Sequence, residues 1–372
     1  MKQLTFYTAK VEEVYAYLAD AIFQDICKAL KRQLDAGKDL TLSEWQVQAL
    51  SDTGQLTQDV LNRIAEVANV APKLVRDAVY AAGFDTVKEI DERLSHRETP
   101  TNFTTEVLQG LVDQARLNLD NLVNQSLISQ NTAAGIYQDI ISKVVAEVAT
   151  GTLTREQAIA KVVNAWLDKG VPSGFVDRAG KTWAIDNYAK TVIKSTVNNA
   201  FNEVTKQRLN DYGLTTVLVG SHPLARPACA KIQGKVIDVR PMNQIPPGSP
   251  YRSVYDPYWN ADYGLAHGHR GVNCAHPWLP FDPEFNENNM PQYDPQKAIE
   301  EEKIEQRRKV IANQIRKAKQ KRMAFEALGD DKKVRYYDNV LNKSRARMVQ
   351  YVKDNNLKRE PSLERIYVKP TS

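Results

Sequence analysis

The sequence predicts a predominantly α-helical α+β protein, and three observations carry that expectation. Apolar residues recur at steps of three and four over most of the chain. β-branched runs are confined to a short region after Gly213. That same region holds four of the five histidines and two of the three cysteines, the texture of loops around a small sheet.

Taken in order, residues 1–100 read as an N-terminal helical domain or docking arm. Val14, Leu18, Ile22, Ile26 and Leu30 form one slowly drifting stripe. Thr41 with Glu44 has the form of a capping box. Another helix follows through Val60, Leu61, Ile64, Val67 and Ala68. Ala71-Pro72 and Gly83-Phe84-Asp85 then punctuate a short helix containing Leu74, Val75 and Val79.

Residues 101–210 read as a long-helix domain. Val107, Leu111, Ala115, Leu119 and Leu122 suggest one long helix, and Gly151 with Thr154 to Gln157 marks a stop and a capped restart. From Ile185 to Val204 the periodicity is strongest, and Thr196 falls on the apolar face, where its hydroxyl needs a carbonyl one turn back. Residues 211–294 form a small loop-rich module with strands expected at Thr215–Val219 and Gly234–Asp238. Residues 295–372 read as a helical hairpin: Ile304, Ile311, Ala318 and Phe325 repeat every seven residues. Gly329-Asp330-Asp331 breaks the pattern, and Val334, Tyr337, Leu341, Met348 and Val352 resume it.

Composition bounds the function classes. The 372 residues are 42% hydrophobic and 26% charged, enough apolar matter for two or three folded domains. No run approaches the roughly 20 apolar residues of a bilayer crossing, and no apolar leader follows the first lysine. Three cysteines without a CxxC spacing exclude a disulfide framework and point to a reducing cytosol. No phosphate cradle of the GxxxxGK[ST] or GxGxxG type is present, so nucleotide chemistry has nothing to rest on. The net charge of +5 is unevenly spread. Residues 295–372 carry 21 Lys and Arg against 11 Asp and Glu, a net of +10 on a mildly acidic body.

Two groups of residues could carry chemistry. His222, Cys229, Cys274 and His276 offer the nitrogen and sulfur donors that tetrahedral zinc prefers, although their spacing fits no standard finger. They would hold either a structural zinc or only local hydrogen bonds, and no other cofactor is expected. Ser221 and Cys229 have histidines nearby but sit in no nucleophile-elbow pattern, so no catalytic residue is assigned. The second group is Arg307, Arg308, Lys309, Arg316, Lys317, Lys319, Lys321 and Arg322, which share one helix and could track a DNA backbone. The alternative is a solvated basic face partly paired with Glu300, Glu301, Glu302 and Glu305.

Residues 217–236, Gly271 to His276 and Pro280 to Pro283 together resemble the signature of tailed-phage minor capsid proteins, relatives of the head-morphogenesis proteins of phage Mu type. Asp168 to Asp177, Gly180 to Trp183 and Tyr188 are similar to the family's lead-in helix. Gln306 to Arg308, Ile315 to Lys317, Gly329 to Asp331 and Leu357 to Glu360 are similar to its basic hairpin. The resemblance covers about residues 150–368, and the first 150 match only in being helical. The family pattern has an arginine where Ala275 stands and a glycine where Glu284 stands. The resemblance implies a non-enzymatic virion component, present in few copies inside the head near the portal and made in the host cytoplasm. It would dock on portal or inner capsid, contact double-stranded DNA without sequence preference, and serve head assembly and genome packaging or ejection. The rival readings are a virion-carried, nuclease-like metalloenzyme using the His/Cys cluster, and a free non-specific DNA-binding protein.

Overall fold

The structure is a computed structural model. It describes every residue except Met1, Asp52, 101–104, Ser129, 151–152, 177–179, Lys181, Ala266, Val272, Asn273, Ala275 and 367–372. The described residues form ten α-helices, a two-stranded sheet and a three-stranded antiparallel sheet, the predominantly helical α+β class that the sequence predicts. They pack as two compact units, each drawn from three stretches of chain. One comprises Val11–Pro72, Asn118–Lys190 and Arg308–Ser372; the other comprises Met1–Lys10, Lys73–Leu117 and Thr191–Arg307. The four consecutive parts read from the sequence are therefore a division of a different kind, because several long helices contribute to both units.

The first unit is helical apart from one small hairpin. It takes most of α1 (Lys2–Ala36), α2 (Leu42–Ser51), the start of α3 (Thr53–Arg93), the end of α4 (Glu106–Ile128), and α5 (Gln130–Ala149). It also takes α6 (Arg155–Lys169), the hairpin of β1 (Pro172–Val176) and β2 (Thr182–Ala184), and the start of α7 (Ile185–Asp211). The expected stripe Val14, Leu18, Ile22, Ile26 and Leu30 is wholly buried, each side chain contributing about 1.5–3 kcal/mol. Both expected capping boxes form. Thr41 N–H donates to Glu44 Oε2 (2.9 Å) ahead of α2, and Thr154 and Gln157 exchange bonds at the start of α6. Arg155 then reaches the carbonyls of Gly37 (2.7 Å) and Leu40 (3.0 Å) while its guanidinium lies 5.0 Å from the centre of the buried Trp45 ring. Carbonyls left over past the end of α1 thus gain a charged donor.

The C-terminal hairpin belongs to this unit from Arg308 onward and pairs α9 (Pro295–Leu328) with α10 (Asp331–Asp354). Ile311, Ile315 and Ala318 pack against Leu341, Met348 and Val352, and Phe325 stacks on Tyr337 with ring centres 5.6 Å apart. The break falls where the sequence places it. Gly329 takes φ +77°, a conformation that costs glycine nothing, and the Asp330 side chain accepts Lys333 N–H (2.9 Å) to cap α10.

The second unit contains the small sheet. Strands β3 (Thr216–Val219), β4 (Val236–Asp238) and β5 (Trp278–Pro280) lie in the order β4-β3-β5, with Val217 opposite both Ile237 and Pro280. Its core joins Val217, Val219, Ile237 and Trp278 to Ile90 and Leu94 of the α3 end and Leu209 of α7. Two charged clamps fix this packing. Arg208 donates twice to Asp91 (2.7 and 2.7 Å), and Asp282, buried to 1% exposure, receives His96 (3.0 Å) and Arg97. Burial alone would raise the Asp282 pKa, but the Arg97 and His96 bonds overcome it and hold the carboxyl at about 2.

Three sequence expectations are corrected. Pro72 and Gly83 lie inside α3 rather than at its ends, because Ile64, Val67, Ala71, Val75, Ala78 and Ala82 form one continuous buried stripe that overrides the local breakers. In α4 the buried face is Leu108, Val112, Ala115 and Leu119, one position later than expected at its start, with Val107 exposed. Strand β5 was not expected; three residues between prolines carry no period. Within the sheet-bearing unit, Ile90 and Leu94 complete the core of the small sheet. On α7, Thr196 Oγ1 donates to the Val192 carbonyl (2.9 Å), as its place on the apolar face required.

Candidate metal centre

The loops around the small sheet bring four donor side chains together: Cys229, His269, Cys274 and His276. Their ligand atoms all lie within 4.8 Å of one another, and all four residues are buried. Each is placed by local backbone. Cys229 sits on the single turn α8 (Pro227–Ala230), whose proline opens the turn after Arg226. His269 is fixed by its N–H bond to the Ala261 carbonyl (2.7 Å), and the preceding Gly268 carbonyl accepts Arg226 Nη2 (2.6 Å). Gly268 allows a close approach that no other residue would. A Cβ there would stand 1.8 Å from the Asp262 carbonyl oxygen. Cys274 N–H closes a turn on Gly271 O (3.0 Å), and His276 precedes Pro277, whose carbonyl pairs with Gly220 (2.8 Å) beside β3. Ala225, Ala230 and Ala298 form an apolar wall around the two thiols.

Inside the cluster, Cys274 Sγ is 3.7 Å from Cys229 Sγ, 3.7 Å from His276 Nδ1 and 4.0 Å from His269 Nδ1. The Cys229 hydrogen bond pulls Cys274 well below the usual thiol range against the opposing effect of burial, with the His269 imidazole adding to it. The same bond, together with burial, pushes Cys229 up. Gln233 fixes the His276 tautomer. Its Oε1 accepts His222 N–H (3.1 Å), so it is an acceptor toward His276 Nε2 as well (3.1 Å), and His276 Nδ1 is left with its lone pair facing the sulfur. Burial lowers the His269 pKa and keeps that ring neutral.

Three of the four residues expected from the sequence meet here, and His269 stands where His222 was expected. His222 stacks on His276 with ring centres 4.1 Å apart, but its Nδ1 accepts Leu224 N–H (3.2 Å), so the proton of the neutral ring sits on Nε2 and no lone pair is offered. Burial pushes its pKa down to about 4. Ser221 holds the module in another way, donating to Pro291 O (2.6 Å). The expected motif residues Val272, Asn273 and Ala275 lie outside the described residues. Glu284, the other departure from the family pattern, donates its N–H to Asp282 (3.2 Å).

The basic residues expected to face DNA are dispersed around α9. Arg308 is buried and donates to Lys358 O (2.7 Å); Lys319 donates to Glu364 O (2.6 Å); Lys321 pairs with Asp168 (2.8 Å); Arg322 pairs with Asp338 (2.7 Å). Arg316 bonds Asn313 (3.0 Å), and Lys309 is half-buried. Arg307 and Lys317 are exposed. The more coherent basic surface is on α10. At 100° per residue, Lys332, Arg335, Lys343, Arg347 and Lys353 fall on one stripe opposite the buried Tyr337, Leu341, Met348 and Val352, and all five are exposed. Only the helical register of these cations, at separations of 3, 8, 4 and 6 residues, carried the signal in the sequence, where the denser run on α9 overshadowed it.

The family model described as "Phage minor capsid protein 2" matches residues 1–353. Over 366 residues, 96% of each chain, the protein is 31% identical to a protein described as "Structural protein" from Lactococcus phage LL-H. A second, also described as "Structural protein", from Lactococcus phage mv4, is 28% identical over 117 residues, 31% of this chain and 92% of that one. No solved structure matches. The family match takes in the N-terminal helices, which the motif resemblance had left out, and it speaks to the minor capsid family and not to the Mu type relation. With the helical architecture and the loop-rich module in place over that span, the chain belongs to the phage minor capsid protein 2 family, a structural protein of a phage particle.

Proposed function

We propose that this protein is a low-copy, non-catalytic component inside the phage head near the portal, where its helices dock on portal or inner capsid and its C-terminal hairpin contacts packaged DNA. One observation carries the DNA part of this reading: the exposed stripe Lys332, Arg335, Lys343, Arg347 and Lys353 on α10. The stripe spans about 32 Å at 1.5 Å per residue and lies opposite the buried face of α10; Arg347 also donates to Gln314 Oε1 of α9 (3.5 Å), a neutral partner that leaves its charge uncompensated. Such a surface binds phosphates by counterion release and reads no bases. The non-catalytic part rests on the Cys/His cluster, whose four donor residues are all buried, the setting of a structural rather than a substrate-binding site.

Quantitative mass spectrometry of purified virions, before and after triggered DNA ejection, tests the placement. Presence in intact particles at a few copies supports it; depletion after ejection adds that the protein leaves with the genome, and retention makes it a fixed part of the vertex. Absence from intact particles, against a control of known low copy number, would overturn it.

A further inference from the structure

The geometry points to a structural zinc ion bound by Cys229, His269, Cys274 and His276. We infer that Zn2+ takes both sulfurs and the Nδ1 atoms of both imidazoles and closes the loop-rich module. The distances support this. A tetrahedral ion with Zn–S of about 2.3 Å and Zn–N of about 2.0–2.1 Å has an S···S edge of about 3.8 Å and S···N edges of about 3.6 Å. The observed edges are 3.7 Å between the sulfurs and 3.7 and 4.0 Å from Cys274 to the two imidazoles. All pairs in the set are within 4.8 Å, so loading requires closure by no more than about 1.5 Å. Donor type selects the metal: two thiolates and two imidazoles in a tetrahedron favour zinc over oxygen-seeking Mg2+ or Ca2+.

Surroundings agree with an ion of this charge. Two thiolates neutralise Zn2+, which suits a site walled by Ala225, Ala230 and Ala298. His276 is already supported for coordination through Nδ1, because its Nε2 proton is held by the Gln233 side-chain carbonyl, which does the work that a carboxylate or backbone carbonyl does for a metal-bound imidazole. His269 must change. Its Nε2 now accepts Trp278 Nε1–H (3.0 Å). Coordination through Nδ1 moves the ring proton to Nε2, so Trp278 has to release that bond and turn slightly. One hydrogen bond is exchanged for four coordinate bonds, and the indole becomes a reporter of loading. The need for a clip is also visible. The module rests on strands of three or four residues, and all four ligands lie in loops and turns outside those strands.

The test uses the full-length protein, produced in zinc-supplemented medium and purified under reducing conditions. Elemental analysis should find about one zinc per chain. Chelation followed by Co2+ titration should give the visible absorption of tetrahedral cobalt with a thiolate charge-transfer band, saturating at one equivalent, with a change in tryptophan emission at the same stoichiometry. The wild-type chelation and refill needs no variant to fold. His269→Ala should lose metal, while His222→Ala, which leaves the four donors in place, should keep it. Less than about 0.1 metal per chain with no Co2+ spectrum on titration would overturn the inference. So would metal retained at full stoichiometry in His269→Ala and lost in His222→Ala.

Discussion

Replacing Lys343 and Arg347 together by glutamine should weaken DNA binding in a way that salt reveals. The two residues lie on the exposed stripe of α10, one turn apart, and no ion pair joins either to an acidic side chain among the described residues. If all five cations of the stripe neutralise phosphates, log K should fall with log salt at a slope of about −4.5, from roughly 0.9 per phosphate. Raising salt from 50 to 200 mM would then cost about 500-fold in affinity. The double substitution removes two contacts, and the slope should fall in magnitude by about 1.8. Fluorescence anisotropy with a mixed-sequence duplex, titrated at four or more salt concentrations, measures both slopes. Lys321→Gln serves as the internal contrast, because Lys321 is committed to Asp168 and is only 12% exposed. It should leave the slope within about half a unit of wild type. A double variant with an unchanged slope, or a Lys321→Gln variant that carries the loss, would refute the assignment of DNA contact to α10.

Two further outcomes follow from the sheet-bearing unit. Asp282 titrates at about 2 in the folded chain, below the ordinary value near 3.9. Its stabilisation is therefore present above about pH 4 and lost as the pH falls toward 2; it is worth about 2 kcal/mol, since one partner, Arg97, is a third exposed. Asp282→Asn should lower stability by that amount at neutral pH, and the gap from wild type should close between pH 4 and 2 in denaturant titrations; curves that stay parallel would contradict the clamp. Gly268→Ala places a methyl group against the Asp262 carbonyl, so the loop must move and take His269 with it. The expected cost is about 3 kcal/mol or more, with a selective loss of the Trp278 environment in fluorescence, whereas a variant of wild-type stability would show the loop to be freer than its geometry.

Local patterns were legible in proportion to how much their physics is local. The α1 stripe, the caps at Thr41 and Thr154, the Thr196 back-bond and the stop at Gly329 each depend on residues within one or two turns, and the sequence displays all of them. Pro72 and Gly83 misled because breaker residues act locally, whereas the 41-residue α3 is held by a buried face that runs from Leu56 to Ile90. The ligand set was legible by residue type but not by member: choosing between His222 and His269 depends on Leu224 N–H occupying one ring nitrogen, a fact about loop geometry. The Asp282 clamp was invisible, since its partners His96 and Arg97 lie about 185 positions away.

By itself, then, the sequence determined the helical class, the split between an acidic body and a basic C-terminal hairpin, the sulfur and nitrogen donors of the loop region, and the capsid-protein resemblance. These are properties of composition, period and motif. The tertiary structure alone decided which cations stay in solvent and which are consumed by Asp168, Asp338 and Glu364. It also decided which histidine joins the two cysteines, and that residues 90–97 complete the small sheet's core. Each of those choices is a competition for a partner across long sequence separation, and only the folded chain sets the distances that resolve it.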